Sequence, residues 1–395
     1  MQSDPAASLP LMPAPTWVNL ESTLGCNLGC VMCGSHISGA TKARGVMDAS
    51  LLAQVEREVL PGALDLSLTV AGEPFMTPKI ATFVALSERS GAQLQLNTNA
   101  TLIKDSALVR RVLRQASVIK FSVDGATAQT YERIRVGADF EEVLENIRLV
   151  VRLRAALPVS ERPRLLMAMV LMRQNLHELV AMVDMAQGLG LDGLEVAHLT
   201  VLTDALDAES LRHAPAAADQ AMVEARRRAD TLCFPLVLPP AMDGSAVHSA
   251  LHARARGWLR RAAGLTLPRV RRGLLAARNR AEIARWEHAA GGSVPCRFLR
   301  SGTFITIGGD VNPCPMPGRP VAGNLRDTSF GDIWNGEVLT AMRRGFLDGK
   351  PMDCCAHCSQ NPVGYVPSDE RTARPPDTSL PEWFERPDAM GTQRG

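Results

Sequence analysis

The chain has 395 residues, 46% of them hydrophobic and 21% charged, and a formal net charge of +2. That length allows two or three domains, and so small a net charge argues against a generally nucleic-acid-binding chain. No apolar run approaches the ~20 residues a membrane span needs, and residues 1–14 lack the basic start and apolar core of a secretion signal, so the expected location is the cytoplasm.

Residues 1–14 are rich in Pro, Ala and Ser and read as a disordered tail. A first strand is expected over 17–22. It delivers a loop that places Cys26, Cys30 and Cys33 at spacing C-x3-C-x2-C. From there strands and helices alternate, which implies βα units on a parallel sheet. Further strands are expected at 64–70, 93–97, 118–123, 165–171 and 193–197. Asp48 caps a helix to about residue 60. Thr77-Pro78 opens a helix with Gly91 beyond its end. Helices follow over 105–115 and 140–157, and Asn175 with Glu178 reads as the capping box of a helix to 189. Six such repeats over 15–202 predict an α/β fold, a partial (β/α)6 barrel of the open kind, with its site at the C-terminal ends of the strands.

Residues 203–292 lose the strand rhythm and read as a helical insert, with breaks at Pro235, Pro239, Pro240 and Pro268. Its stretch 251–288 is Arg-rich, with ten arginines against Glu282 and Glu287. Such a basic segment beside Trp258 and Leu259 suits an anionic ligand or a membrane surface, and its place in the chain would let it cover the barrel mouth. Residues 293–366 form a small α+β module, in which TFITIGGDVNPC is a strand–turn–strand ending on Cys314 and 325–347 is mostly helical. The Pro-rich stretch 367–395 reads as a second tail.

Eight of the nine cysteines lie in two groups, at the N-terminal triplet and after residue 295. Without export, clustered cysteines read as metal ligands rather than disulfides. Three thiolates within eight residues can hold three irons of a 4Fe–4S cube. The fourth iron is then open, a sign of chemistry rather than of structure. Zinc with His36 as fourth ligand is the alternative. Cys296, Cys314, Cys355 and Cys358 suffice to enclose a second cluster, with zinc again the alternative and Cys354 the spare, since C-x2-C is the usual spacing. Cys233 stands alone and reads as a buried apolar residue. Asn99, Ser122 and Asp124 close strands, where a ligand would be reached. Glu195 and His198 close the sixth and are the candidate catalytic groups.

The triplet resembles the radical S-adenosylmethionine (SAM) superfamily signature, with Met32 where an aromatic is usual. Ala71-Gly72-Glu73-Pro74 resembles that family's GGEP motif, Asn97-Thr98-Asn99 its TNG step, Ser122-Val123-Asp124-Gly125 its S-x-DG, and Tyr131 to Gly137 its Y-x-x-I-R-x-G. The late cysteines with ITIGGDVNPC and GNLRDTSFGDIWN resemble the SPASM domain, in its shortened twitch form. The resemblance implies SAM with two 4Fe–4S clusters as cofactors. Met32 would pack on adenine, the chain at Gly72 and Glu73 would bind the methionyl ammonium, Asn99, Ser122 and Asp124 would reach ribose or substrate, and Arg135 would pair with the methionyl carboxylate. It implies reductive SAM cleavage to a 5′-deoxyadenosyl radical and hydrogen abstraction from a substrate carbon. The auxiliary cluster would relay an electron, with a flavodoxin or ferredoxin as external donor. Only about 16 residues precede the first strand, which leaves no room for a leader-binding domain. This favours a sugar, aminocyclitol or other small or carrier-borne substrate, oxidised or epimerised, over a ribosomal peptide. A non-catalytic electron carrier is the remaining alternative.

Overall fold

The computed structural model describes residues 9–39, 45–68, 71–104, 106–242, 267–316 and 319–356. Cys358, the segment 243–266 with Arg254, Arg256, Trp258, Leu259, Arg260 and Arg261, and the tail 367–395 lie outside the described residues. The fold is a partial barrel built on one ten-stranded sheet in the order β10-β9-β8-β1-β2-β3-β4-β5-β6-β7. The strands are β1 Trp17–Leu20, β2 Asp65–Ser67, β3 Gln93–Thr98, β4 Ala116–Ser122, β5 Arg164–Leu171, β6 Gly193–His198, β7 Leu236–Val237, β8 Gly302–Ile305, β9 Asp310–Asn312 and β10 Gly323–Asn324. Strands β1 to β7 are parallel, and β8 adds to the other edge of β1, also parallel.

Side chains alternate across a strand, and the registers sort them into two walls. Leu66, Leu94, Ile119, Phe121, Leu165, Met167 and Leu194 share the wall buried under the helices. There they meet α1 (Ile80–Ser90), α2 (Ser106–Gln115), α3 (Phe140–Ala155) and α4 (Leu179–Gly188) through Phe83, Val112, Ile147 and Met182. Burying each such side chain contributes roughly 1.5–3 kcal/mol. The inner wall carries the polar residues Asn19, Ser67, Gln95, Asn97, Lys120, Ser122 and Glu195, interspersed with Val118, Leu166 and Val170.

Several expectations need correction. The two-residue β7 extends the parallel sheet beyond six strands. The helix expected from Thr77-Pro78 begins at Ile80, after a 3₁₀ turn at Pro74–Met76. Asn175 and Glu178 do not form a capping box. The Asn175 amide donates to the Asp124 and Val170 carbonyls, both at 2.9 Å. The Glu178 carboxylate accepts from the Ala126 N–H at 2.6 Å and the Thr127 hydroxyl at 2.7 Å. Both residues brace the loop after β4 instead of their own helix. Nor are the described residues of the N-terminal stretch a loose tail. Met12 is buried, the Trp286 indole donates to the Pro10 carbonyl at 2.7 Å, and the Trp334 indole donates to the Pro13 carbonyl at 2.9 Å.

The helix Leu267–Ala289, the described half of the basic insert, lies at the strand entry ends. Arg272 pairs with Asp65 at 2.7 Å and donates to the Leu64 carbonyl, and the Asn279 amide reaches the Gly62 carbonyl at 3.3 Å. This half of the insert is therefore a floor under β2, not a cover on the mouth. No described helix is long and apolar enough to cross a membrane.

The cysteine-rich module is fused to the barrel through β1 and β8, paired from Trp17↔Gly302 to Leu20↔Ile305. Just beyond, the Glu21 N–H donates to the Ile305 carbonyl at 2.9 Å and the Glu21 carboxylate accepts from the Ile307 N–H at 3.0 Å. Burial pushes the Glu21 carboxyl up to about 7, with the Ile307 bond opposing and Asp310 adding to the rise. A native pKa above the unfolded value of 4.5 means the folded chain holds the proton longer, so stability is lost as pH rises through that window. We predict that stability falls by up to about 3 kcal/mol between pH ~4.5 and ~7 relative to a Glu21→Gln variant, by denaturant titration. Parallel pH profiles for the two proteins would contradict this account of the seam.

Candidate functional site

The cysteine loop follows β1 and is held by backbone bonds on both sides of Cys30. The Gly29 N–H donates to the Val136 carbonyl at 2.8 Å, and the Val31 N–H to the Ile134 carbonyl at 3.0 Å. Cys33 stands at the N-cap of the short helix Gly34–Ile37 without using its side chain there. Cys30 is buried, Cys26 and Cys33 are half-buried, and all three are free thiols. Met32 is half-buried within the loop. Burial pushes the Cys30 thiol up to about 11 against the pull of Arg135, and pushes Cys26 up as well. Such thiols bind protons tightly until a metal displaces them, since coordination deprotonates a thiol outright.

The residues present fit a cluster. The donor set is three closely spaced cysteines, and its surroundings donate to sulfur. The Asn99 amide lies 3.9 Å from Cys26 Sγ, and Arg135 Nη1 lies 3.7 Å from Cys30 Sγ. Among the described residues no three His, Cys, Asp or Glu groups converge as the ligands of a single ion; a cube instead takes each thiolate on a different iron.

The turn after β2 presses directly on this loop. Gly72 has φ +72, and a Cβ there would sit 2.4 Å from the Thr23 carbonyl oxygen and 2.7 Å from that of Gly25. Only glycine meets both the backbone angle and the close approach. The Glu73 N–H donates to the Gly25 carbonyl at 2.9 Å. The Glu73 carboxylate, 2% exposed, accepts from the Phe75 N–H at 3.2 Å, the Thr98 hydroxyl at 2.7 Å and the Asn99 N–H at 2.7 Å. Its side chain thus locks the ends of β2 and β3 together. Asn99 in turn donates to Asn27 at 3.0 Å and accepts from the Thr101 hydroxyl at 2.8 Å.

The end of β4 carries Ser122, half-buried on the inner wall, and Asp124, fully buried. Asp124 accepts from the Val170 N–H at 2.6 Å and forms an ion pair with Arg135 Nε at 2.6 Å. Burial pushes the Asp124 carboxyl up against the pull of Arg135, while for Arg135 burial is opposed and outweighed by Asp124, Cys30 and Tyr131, which hold the guanidinium protonated. The Tyr131 hydroxyl, one helical turn before Arg135, is buried with no hydrogen-bond partner.

Glu195 and His198 are three residues apart on β6 and therefore face opposite walls. Glu195 faces inward, level with Ser122 and Ala168, and pairs with Lys120 of β4. His198 shares the outer wall with Leu171 and bonds the Pro240 carbonyl through Nε2 at 2.8 Å. Burial lowers its pKa. Lys120 was not among the expected site residues, although its spacing of two from Ser122 places it on the same wall.

In the second cysteine group, Cys296 is the N-cap of the helix Arg297–Ser301, Cys314 follows β9, and Cys355 is buried in the helix Asp353–Ala356 with Cys354 Sγ 3.9 Å away.

Residues 20–186 match the radical SAM superfamily, and residues 296–359 match the SPASM iron–sulfur cluster-binding domain. Over 354 residues the chain is 25% identical to the tungsten-containing aldehyde ferredoxin oxidoreductase cofactor-modifying protein of Pyrococcus furiosus, with 86% of each chain covered. Over 180 residues it is 26% identical to the AdoMet-dependent heme synthase of Methanosarcina barkeri; this covers 45% of the chain and 48% of that protein, about half the relative's length. Among solved structures, SuiB of Streptococcus suis bound to precursor peptide SuiA superposes with a TM-score of 0.55 at 15% identity, covering 84% of this chain and 67% of SuiB. Native anSMEcpe with bound AdoMet and Cp18Cys peptide gives 0.58 at 15% identity, covering 88% and 86%. At that identity the likeness is one of fold.

The close approach at Gly72 generates a test. Gly72→Ala should lose the first cluster and keep the second, so iron after anaerobic reconstitution should fall from about eight to about four per chain. Full iron in the variant would show that the loop tolerates the added methyl.

Proposed function

We propose, for a chain that joins a radical SAM domain to an iron–sulfur-binding SPASM domain, that it oxidises a small or carrier-borne polar substrate at a carbon bearing oxygen or nitrogen. Cys26, Cys30 and Cys33 hold the SAM-binding cluster. Cys296, Cys314, Cys355 and Cys358 hold the auxiliary one, with Cys354 spare. When bound, these clusters and SAM supply one-electron chemistry, in which reductive cleavage gives a 5′-deoxyadenosyl radical that takes hydrogen from a substrate carbon, and the auxiliary cluster relays an electron. A flavodoxin or ferredoxin is the external donor.

The chain's own groups divide the remaining work. Gly72 lets the backbone come close enough to bind the methionyl ammonium, and Met32 gives adenine an apolar neighbour. Ser122 and Asn99 offer polar contacts at the strand ends, with Glu73 and Asp124 holding those ends in place. Lys120 pairs with the Glu195 carboxylate, and Glu195 accepts the proton released when a carbinol or amine carbon loses two electrons. His198 holds the end of β6 through Pro240.

The observation that carries this reading is the group of polar side chains on the inner wall, where Asn97 is level with Lys120 and Ser122 with Glu195. Such a wall suits a substrate rich in hydroxyl or amino groups, as in a sugar or aminocyclitol, better than an apolar one. Pairing of β1 with β8 supports electron relay, since it brings the strand before Cys26 beside the strand that follows Cys296.

The test is anaerobic SAM cleavage with deuterated sugars, aminocyclitols and, as a second arm, precursor peptides. Deuterium should enter 5′-deoxyadenosine with a substrate of the first class. Replacing Cys26, Cys30 and Cys33 together by Ala should abolish cleavage and leave about four irons. Deuterium transfer only from peptides would replace the substrate class, and cleavage by the triple variant would remove the site itself.

A further inference from the structure

We infer that Arg135 serves the first cluster rather than the methionyl carboxylate: braced by Asp124, it bears on Cys30 Sγ and raises that cluster's reduction potential. The inference rests on the assignment of Cys26, Cys30 and Cys33 as cluster ligands.

The geometry opposes any free role for this side chain. Arg135 is 8% exposed, with Nε 2.6 Å from Asp124 and Nη1 3.7 Å from Cys30 Sγ. The two backbone bonds from Gly29 to Val136 and from Val31 to Ile134 bracket the Cys30–Arg135 pair on both sides. Cys30 and Arg135 therefore lie directly across from one another, and their separation is set by the main chain rather than by two flexible side chains. Asp124 is fixed from behind, by the Val170 N–H on its carboxylate and the Asn175 amide on its carbonyl. A Cβ at Gly125 would lie 2.7 Å from the Tyr131 nitrogen, so this loop is packed hard against the helix that ends at Arg135.

The electrostatics then follow. Reduction adds one negative charge to a cluster, so a fixed cation beside a ligating sulfur favours the reduced form. Hydrogen bonds to the sulfurs act in the same direction, and the Asn99 amide 3.9 Å from Cys26 Sγ adds a second donor. Nη1 faces the sulfur and Nε faces the carboxylate. The cation therefore stands nearer the cluster than the anion that balances it, and in a buried site that difference is weakly screened.

The experiment is an EPR-monitored redox titration of the reconstituted full chain, with iron content and SAM binding measured on the same samples. Arg135→Met should lower the midpoint potential of the cluster that responds to added SAM. Arg135→Lys, which keeps the charge and loses the fork, should lower it less. Asp124→Asn should shift it upward. Shifts of opposite sign at two residues in contact are not produced by general loosening of the fold, and the lysine and asparagine variants decide the matter where Arg135→Met fails to hold iron. A midpoint unchanged in all iron-replete variants, with SAM binding weakened tenfold or more by Arg135→Lys, would overturn the proposal in favour of carboxylate recognition. Wild-type protein that takes up no SAM-responsive cluster would overturn the ligand assignment itself, and this proposal with it.

Discussion

Glu73 is the constraint on which the mouth of the barrel depends. A carboxylate that is almost wholly out of water must have its lone pairs satisfied by the protein. Three donors do so here, from the turn after β2 and from the end of β3. The main chain of the same residue holds Gly25 in the cysteine loop. One buried charge thus fixes the relative positions of three strand ends. Asp124 has the same role at the next strand along, tying β4 to β5 and to Arg135. The site is rigid because its acidic groups bond to the fold, which leaves backbone and small polar side chains to meet ligands.

A second division of labour follows from the two walls of the sheet. The outer wall is apolar and carries the packing. The inner wall carries most of the sheet's polar side chains, and the ion pair of Lys120 with Glu195 spans β5 rather than joining adjacent strands. Between them on β5, Ala168 lies level with Glu195 and Leu166 level with Lys120. The small Ala168 leaves the wall open at the level of Ser122 and Glu195, where a larger side chain would fill the lumen.

Much of this was legible from residue pattern. The alternation of strands and helices stands in the chain where the structure uses it, and the expected strand-end motifs fall in the turns after β2, β3 and β4. What was missed divides by physical cause. Asn175 and Glu178 share the local pattern of a capping box, but Glu178 takes its partners 51 and 52 residues away in sequence, and no local rule reports that. Composition marked residues 9–14 as loose. Two indole N–H groups, of Trp286 and Trp334, require acceptors when buried and find them in that segment. Strand β7 is too short for periodicity to show. The opposite facing of Glu195 and His198, by contrast, was readable from their odd spacing.

The union of β1 with β8 also sets an order of events during synthesis. Asn19 of β1 bonds a carbonyl 284 residues further along the chain. At ~5–20 residues per second, the outer edge of the first strand made waits roughly 15–60 s for its neighbour to leave the ribosome. Through that interval β1 presents an unpaired edge flanked by Val18 and Leu20, the kind of edge that recruits foreign strands. The nascent barrel is thus an incomplete sheet that its own last module must close, and a chain stopped short of Gly302 would carry its aggregation hazard at its oldest end.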